Sequence, residues 1–260
     1  MATQIMNGLA VEIDGSGEAL LCIHGLGGSS NNWTPLMRGL EEFMLLRPDL
    51  PGSARSELPA GNLSIATYVA ALEQLLADLH VESIHIAAHS LGTIVAQHFA
   101  LRNVSKVKSL ALFGPLLAPP DAARPTIMER AALARSGIPG IQQIADAIVK
   151  GATSGRTKDQ QPAVLALVRE SIMRQSPEGY AQSCEALAQA QAAAVEGIQV
   201  PTLLVTGDED GVAPPAHVKA MAARIRGSRM AVLSGCGHWT SFEQPQACVK
   251  ELKDFYASFR

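Results

Sequence analysis

The chain of 260 residues is 47% hydrophobic and 17% charged, which is the composition of a folded protein with a large core. Its formal net charge of −3 argues against nucleic acid and against an anionic membrane surface as partners. The N-terminal residues do not resemble a secretory signal, and no apolar stretch is long enough to span a membrane. We therefore expect a cytoplasmic protein that acts on a small molecule, and a homo-oligomer is left open.

Six short apolar runs predict buried strands, because their apolarity is continuous and each ends in polar or turn residues. They cover residues 19–25, 43–49, 83–90, 107–114, 202–208 and 229–235. Helical patterns alternate with them at residues 29–40, 64–80, 91–102, 215–226 and 246–259. This succession is typical of a mostly parallel sheet with helices on both faces, so the sequence predicts an α/β fold.

Two segments depart from this alternation. Residues 10–21 predict an antiparallel hairpin near the start of the chain, turned at Asp14 and Gly15. Residues 116–198, named the helical insertion below, contain helical patterns with no strand between them. Such an insertion predicts a lid (cap) over the C-terminal edge of the sheet. We therefore expect two parts, a helical lid of residues 116–198 and a core of residues 1–115 and 199–260.

The segment AAHSLG places Ser90 where a predicted strand turns into a predicted helix. A nucleophile at such an elbow has a strained backbone, and small residues two before and two after it let the strand and the helix approach each other. Ala88 and Gly92 meet that requirement. The N–H of Leu91, at the start of the helix, would stabilise an oxyanion. We predict Ser90 as a nucleophile and Leu91 as an oxyanion-hole donor.

A glycine-rich turn, HGLGG at residues 24–28, follows an earlier predicted strand. Such a turn can present a second backbone donor to the oxyanion, and we assign that donor to Leu26. The alternative is a tight turn whose glycines serve only the backbone conformation.

A serine nucleophile needs a base and a group that orients the base, and both are expected after later strands. His238 follows the last predicted strand, and Asp208 and Asp210 follow the strand before it. The C-terminal ends of parallel strands meet at one edge of the sheet, where open α/β sheets bind ligands. We choose His238 as the base and Asp210 as the acid, with Asp208 as the fallback.

No metal site is expected. The cysteines lack the paired spacing of zinc ribbons or of a disulfide framework, so we expect reduced thiols. His85 and His89 share a strand face without a third ligand, and Cys236 and His238 also lack one. The four cysteines are Cys22, Cys184, Cys236 and Cys248.

Together, these segments resemble an α/β-hydrolase over nearly the whole chain. The motifs that carry the resemblance are HGLGG (24–28), DLPGSARS (49–56), AHSLG (88–92), GDEDGVAP (207–214) and GHWTSFEQP (237–245). The resemblance implies the α/β-hydrolase fold and agrees with Ser90 as nucleophile, His238 as base and Asp210 as acid.

A narrower resemblance is to the 3-oxoadipate enol-lactonase group and related small esterases, carried by residues 214–233 and 176–190. It implies hydrolysis of an ester or lactone through an acyl-enzyme, without a cofactor. In the helical insertion, the segment 127–137 resembles a segment of that group whose arginine matches Arg130. A cation there would anchor a substrate carboxylate. Trp33 and Trp239 are placed to border the pocket, or else they simply pack as large apolar groups.

Two alternatives stay open. The segment GHWTSFEQP also resembles the histidine loop of carbon–carbon hydrolases that act on products of aromatic ring cleavage. Some proteins of this fold bind a ligand without turnover, so a receptor is the second alternative. An intact Ser90, Asp210 and His238 favour an enzyme.

Overall fold

The computed structural model describes residues 2–259, which contain one eight-stranded sheet. The strand order in the sheet is β1-β2-β4-β3-β5-β6-β7-β8, and the pairs from β4 to β8 are parallel. The strands are β1 (Ala2–Met6), β2 (Leu9–Asp14), β3 (Glu18–Ile23), β4 (Phe43–Pro48), β5 (Ile84–His89), β6 (Val107–Phe113), β7 (Thr202–Gly207) and β8 (Arg229–Leu233). The prediction of a mostly parallel α/β sheet is confirmed.

The helices cover both faces of this sheet, and the continuous apolarity of the strands follows from that. The helices are α1 (Ile65–Asp78), α2 (Leu91–Arg102), α3 (Arg124–Ala134), α4 (Ile138–Ala152), α5 (Gly155–Gln160), α6 (Pro162–Met173), α7 (Pro177–Gln189), α8 (Pro215–Ala222), α9 (Thr240–Glu243) and α10 (Pro245–Ala257), with 3₁₀ helices at Ser30–Gly39, Asp121–Ala123 and Val195–Gly197. In β5, the side chains of Ile86 and Ala88 pack in an apolar cluster with residues of α1 and α2. The side chain of Ala87 packs in a second apolar cluster, with residues of the 3₁₀ helix Ser30–Gly39 and α10.

The predicted hairpin of residues 10–21 is wrong. Strand β2 pairs antiparallel with β1 and with β4, whereas β3 lies on the other side of β4 and is parallel to it. The connection crosses the start of β4 at two glycines with positive φ. A Cβ on Gly15 would lie 2.4 Å from the carbonyl oxygen of Phe43, and one on Gly17 would lie 2.4 Å from that of Glu42. These glycines let the chain pass over β4 instead of folding back beside β2.

The helical insertion contains α3–α7 and joins β6 to β7. Strand β6 ends at the edge of the sheet where β5 turns into α2, so the insertion leaves the sheet at that edge, and it returns to the opposite edge, where the parallel strand β7 begins. No helix within residues 2–259 is both long enough and apolar enough to cross a membrane.

Candidate active site

Ser90 lies at the sharp turn between β5 and α2. Its backbone has φ 52° and ψ −121°, a left-handed conformation that is strained for a residue with a side chain. A Cβ on Gly92 would lie 2.5 Å from the carbonyl oxygen of His24 and 2.7 Å from that of Ile23. Glycine is therefore required at position 92, because α2 begins in contact with the end of β3. The prediction of a strained elbow with a small residue after it is confirmed.

Ser90, His238 and Asp210 form a hydrogen-bonded chain. The distance between Ser90 Oγ and His238 Nε2 is 2.8 Å, and that between His238 Nδ1 and Asp210 Oδ2 is also 2.8 Å. A carboxylate accepts, so Nδ1–H of His238 donates to Asp210, and the free lone pair on Nε2 accepts from the Ser90 hydroxyl. This tautomer leaves Nε2 ready to take the serine proton.

The carboxylate of Asp210 is held in its ionised form. Its Oδ1 accepts the backbone N–H groups of Val212 and Ala213, both at 2.8 Å. Burial acts to raise the pKa of Asp210, but the neighbouring His238 and these hydrogen bonds outweigh burial and lower the pKa to about 2. The fallback residue Asp208 is exposed and accepts the N–H of Cys236 instead. Of the two candidate acids, Asp210 is the one that contacts His238.

The glycine-rich turn lies against Ser90. Residues 25–28, named the oxyanion turn below, are closed by the bond from the Gly28 N–H to the Gly25 carbonyl at 3.0 Å. A Cβ on Gly25 would lie 2.8 Å from Cβ of Ser90, so the turn and the elbow are in contact. Within residues 2–259, the N–H groups of Leu26 and Leu91 donate to no protein acceptor. Two free backbone donors therefore lie in the segments that adjoin Ser90, and their role as an oxyanion hole stays a prediction.

His24 links the oxyanion turn to the loop after β4. Its Nε2 accepts the N–H of Leu50 at 2.8 Å, and its Nδ1 donates to the carbonyl of Gly25, also at 2.8 Å. Burial lowers the pKa of His24 and keeps the ring neutral, as this pair of bonds requires. Position 24 is part of the glycine-rich motif, but nothing in the motif predicts this linking role for His24.

The loop that carries His238 is held from both sides. The ring of His89, whose pKa burial lowers to about 3, donates from Nε2 to the carbonyl oxygen of His238 at 2.8 Å. The N–H of His238 donates to the carbonyl oxygen of Ala152 at the end of α4, at 2.9 Å. His238 is therefore fixed by the elbow strand on one side and by the helical insertion on the other.

Glu243 also holds this loop, and sequence reasoning missed it. Its buried carboxylate accepts the N–H groups of Gly237 at 3.0 Å and Trp239 at 3.1 Å, the two residues that flank His238. The same carboxylate accepts the Ser154 N–H at 2.8 Å and the Thr157 hydroxyl at 2.9 Å, both from the helical insertion. The available signal was a lone Glu five residues after His238, a spacing that does not reveal these contacts.

We expect Glu243→Gln to lower the free energy of unfolding by about 2 kcal/mol or more, because the new amide NH₂ would face buried N–H donors and leave them unsatisfied. Urea unfolding would measure the change. Glu209→Gln is the matched control, since Glu209 also accepts an N–H of the helical insertion, that of Gly155, but is exposed. Equal stability of the two variants would contradict the structural role of Glu243.

A cavity of about 480 Å³ opens at Ser90 and His238 between the sheet edge and the helical insertion. Arg130 and Trp239, two of the predicted binding residues, line it, and so does Leu26. Within residues 2–259, no carboxylate lies within ion-pair distance of the half-buried Arg130. The remaining lining residues are mostly apolar and come from the helical insertion: Leu116, Thr126, Glu129, Leu133, Gln143, Ile144, Ala147, Ile148, Gly151, Ala152 and Leu187, with Val212 from the core.

The predicted position of Trp33 at the pocket border does not hold. Trp33 is 2% exposed and packs edge-on against Phe113, with ring centroids 5.9 Å apart. Both rings belong to the apolar cluster under α10, which is separate from the cluster that contains Trp239 and residues of the helical insertion. Trp33 lies on the 3₁₀ helix Ser30–Gly39, whose buried side faces the cluster under α10. Trp239, next to His238, lines the cavity and stacks on Phe242, with ring centroids 5.6 Å apart, and its role in substrate binding stays a prediction.

Comparison with known proteins is consistent with this site. A family model described as alpha/beta hydrolase fold matches residues 18–245. A thermophilic esterase from Thermogutta terrifontis has a similar structure, with a TM-score of 0.91 and 25% identity over 96% of this chain and 93% of that one. The enol-lactonase from Burkholderia xenovorans LB400 has a TM-score of 0.89 and 27% identity over 98% of this chain and 100% of its own.

A curated relative, the 2-hydroxy-6-oxononadienedioate/2-hydroxy-6-oxononatrienedioate hydrolase of Cupriavidus pinatubonensis, is 26% identical over 92% of this chain and 86% of its own. The segment matched by the family model extends from β3 through the histidine loop, and includes the elbow at Ser90, Asp210 and His238. The chain therefore belongs to the alpha/beta hydrolase fold family, and it resembles the esterases and enol-lactonases within that family.

Proposed function

We propose that this protein is a serine hydrolase that cleaves a small carboxylic ester or lactone without a cofactor. The observation that carries the proposal is the chain of two 2.8 Å contacts from Asp210 through His238 to Ser90, at the mouth of a largely apolar cavity. The esterase and enol-lactonase among the similar structures support this class of reaction.

In the proposed first half-reaction, the Ser90 oxygen attacks the substrate carbonyl carbon while His238 Nε2 takes the hydroxyl proton. The N–H groups of Leu26 and Leu91 stabilise the oxyanion of the tetrahedral intermediate. His238 then gives its proton to the leaving alkoxide or enolate oxygen, the carbon–oxygen bond breaks, and an acyl-enzyme remains on Ser90. Asp210 stabilises the transient imidazolium and keeps Nδ1 protonated.

The second half-reaction follows the same route with water as the nucleophile. His238 takes a proton from water, the hydroxyl attacks the acyl carbon, and the same two N–H groups stabilise the second oxyanion. Collapse of this intermediate returns the proton to Ser90 and releases the carboxylic acid. For a lactone, the leaving oxygen belongs to the same molecule, so one ring-opened product forms.

The helical insertion acts as a lid that supplies the walls of the substrate pocket in this proposal. Its apolar side chains favour a substrate with a compact hydrocarbon body, and Arg130 offers a cation to a carboxylate on that substrate. A lactone that carries a carboxylate, such as an enol-lactone, fits both features. The carbon–carbon hydrolase among the relatives keeps cleavage of a carbon–carbon bond as the second candidate reaction.

We expect Arg130→Met to raise KM for a carboxylate-bearing lactone by about 10- to 100-fold, since a hydrogen bond to a charged group is worth about 1.5–3 kcal/mol. KM for an uncharged ester should stay within about twofold. Arg169→Met is the control, because Arg169 is an exposed arginine of the same insertion paired with Asp146. An equal effect of Arg130→Met on charged and uncharged substrates would argue against an anchoring role.

The proposed function is tested by hydrolysis of a short panel: p-nitrophenyl acetate and butyrate, an aryl ester, and 3-oxoadipate enol-lactone. We expect turnover of at least one member, with the preferred member defining the substrate class. Folded protein that cleaves none of them would overturn the ester or lactone proposal, and turnover of a carbon–carbon substrate instead would identify the second candidate.

A further inference from the structure

A buried glutamine joins the helical insertion to the oxyanion turn. Gln175 follows α6 and is 5% exposed. The two N–H groups of its amide are shared among three carbonyl oxygens, those of Ser171 at 2.8 Å, Gly28 at 3.1 Å and Gly27 at 3.2 Å. Its amide oxygen accepts the N–H of Ala54 at 3.0 Å, in the loop that follows β4. One side chain therefore holds the insertion, the oxyanion turn and a third loop together.

Two side chains of α6 contact the same turn. The Ser171 hydroxyl donates to the Gly27 carbonyl at 2.8 Å, so this carbonyl accepts two side-chain bonds. Gly27 has φ 71°, and a Cβ on it would lie 2.2 Å from Cδ1 of Ile172 and 3.1 Å from the ring of Tyr180. The turn and the insertion are thus in direct van der Waals contact, and their hydrogen bonds are buried.

The position of this turn matters because it carries the Leu26 N–H. A donor to an oxyanion works within a narrow range of distance, about 2.7–3.1 Å, and must be in place before charge develops. The turn has glycine at positions 25, 27 and 28, and glycine restricts the backbone little. The bond from Gly28 to Gly25 closes the turn, but it does not fix the orientation of the turn relative to Ser90. His24 holds the Gly25 carbonyl, and Ser171 and Gln175 hold the carbonyls of Gly27 and Gly28 from the side of the insertion.

We propose that Gln175, with Ser171, is a positioning residue that orients the Leu26 N–H for catalysis from the helical insertion. This inference rests on the proposed function, because it assumes an oxyanion at Ser90. It also assigns the insertion a second task beside lining the pocket. An outward movement of α6 would release the oxyanion turn, so the fully active protein needs α6 in the observed place.

The test compares Gln175→Met, which keeps the length of the side chain and removes its hydrogen bonds, with the wild type. For p-nitrophenyl butyrate we expect kcat to fall about 10- to 100-fold with KM within about twofold, because the lost restraint acts on the transition state. The affinity for an alkyl boronic acid, which forms a tetrahedral adduct with the serine oxygen, should fall by a similar factor. Ser171→Ala removes one bond to Gly27, and we expect a smaller loss in the same two quantities.

Gln182→Met is the matched control. Gln182 also joins the insertion to the core, through the Leu63 N–H at 3.3 Å, but it does not contact the oxyanion turn. Its variant should keep kcat and boronate affinity within about twofold of the wild type. Unfolding midpoints of all three variants establish that the assays are done on folded protein.

The outcomes separate this inference from the proposed function. Suppose that the wild type turns over the ester and binds the boronate, and that Gln175→Met and Ser171→Ala match it in kcat and in boronate affinity. This result would overturn the positioning role and leave the proposed function intact. A loss of kcat without loss of boronate affinity would also overturn the positioning role. A wild type without turnover and without boronate binding would overturn the proposed function, and the positioning role with it.

Discussion

Replacing Ser90 with alanine is expected to lower kcat on every cleaved ester by on the order of 10⁵-fold or more, because the nucleophilic oxygen is lost and the base has no proton to take. The fold should tolerate the change. The Ser90 N–H donates to the Phe113 carbonyl, and the Ser90 carbonyl accepts the Thr93 N–H. These backbone bonds do not depend on the Ser90 side chain. Steady-state hydrolysis with matched unfolding curves would measure the effect.

Ser183→Ala is the control for this substitution. Ser183 is buried like Ser90, and its hydroxyl bonds to Tyr68 and to the carbonyl of Gly179, away from the candidate site. We expect its kcat to stay within about twofold of the wild type. A Ser90→Ala protein that is folded and retains more than a small fraction of the wild-type turnover would show that another group is the nucleophile.

Asp210→Asn is expected to lower kcat by about 10⁴-fold with little change in fold. The asparagine carbonyl can still accept the N–H groups of Val212 and Ala213, which places its NH₂ against Nδ1 of His238. An amide NH₂ cannot accept from Nδ1–H, so the ring would adopt the tautomer with its proton on Nε2. That tautomer cannot take a proton from Ser90.

Asp208→Asn is the matched control for this change, because Asp208 is two residues away, exposed, and bonded to the Cys236 N–H. Its kcat should remain close to that of the wild type. Nitrogen-15 NMR of the His238 ring would report the tautomer in Asp210→Asn. A large loss with Asp208→Asn, together with a small loss with Asp210→Asn, would reverse the assignment of the acid.

The elbow and the residues around it could be predicted because their requirements are local. The small side chains beside Ser90 follow from the contact between strand and helix, because a Cβ on Gly92 would lie 2.5 Å from the carbonyl oxygen of His24. The convergence of Asp210 and His238 followed from topology, since successive parallel strands end at one edge. Neither inference needed knowledge of distant packing.

The features that sequence reasoning missed depend on contacts between distant segments. The path of the chain across β4 depends on how Gly15 and Gly17 meet the backbone at residues 42–43, and the turn signal at these glycines suits a simple hairpin equally well. Trp33 follows Ser29 by only four residues, but the buried side of its 3₁₀ helix determines which cluster it joins. Gln175 resembles any surface glutamine until its partners, up to 148 residues away, are known.

Activation of the Ser90 oxygen can be measured by mass spectrometry after treatment with a fluorophosphonate, which phosphonylates activated serine oxygens. We expect one adduct per chain, located on Ser90 in the peptide map, with none on the Ser90→Ala variant and a much slower reaction of Asp210→Asn. The absence of an adduct on folded wild type, or an adduct that persists in Ser90→Ala, would contradict the role of Ser90 as an activated nucleophile.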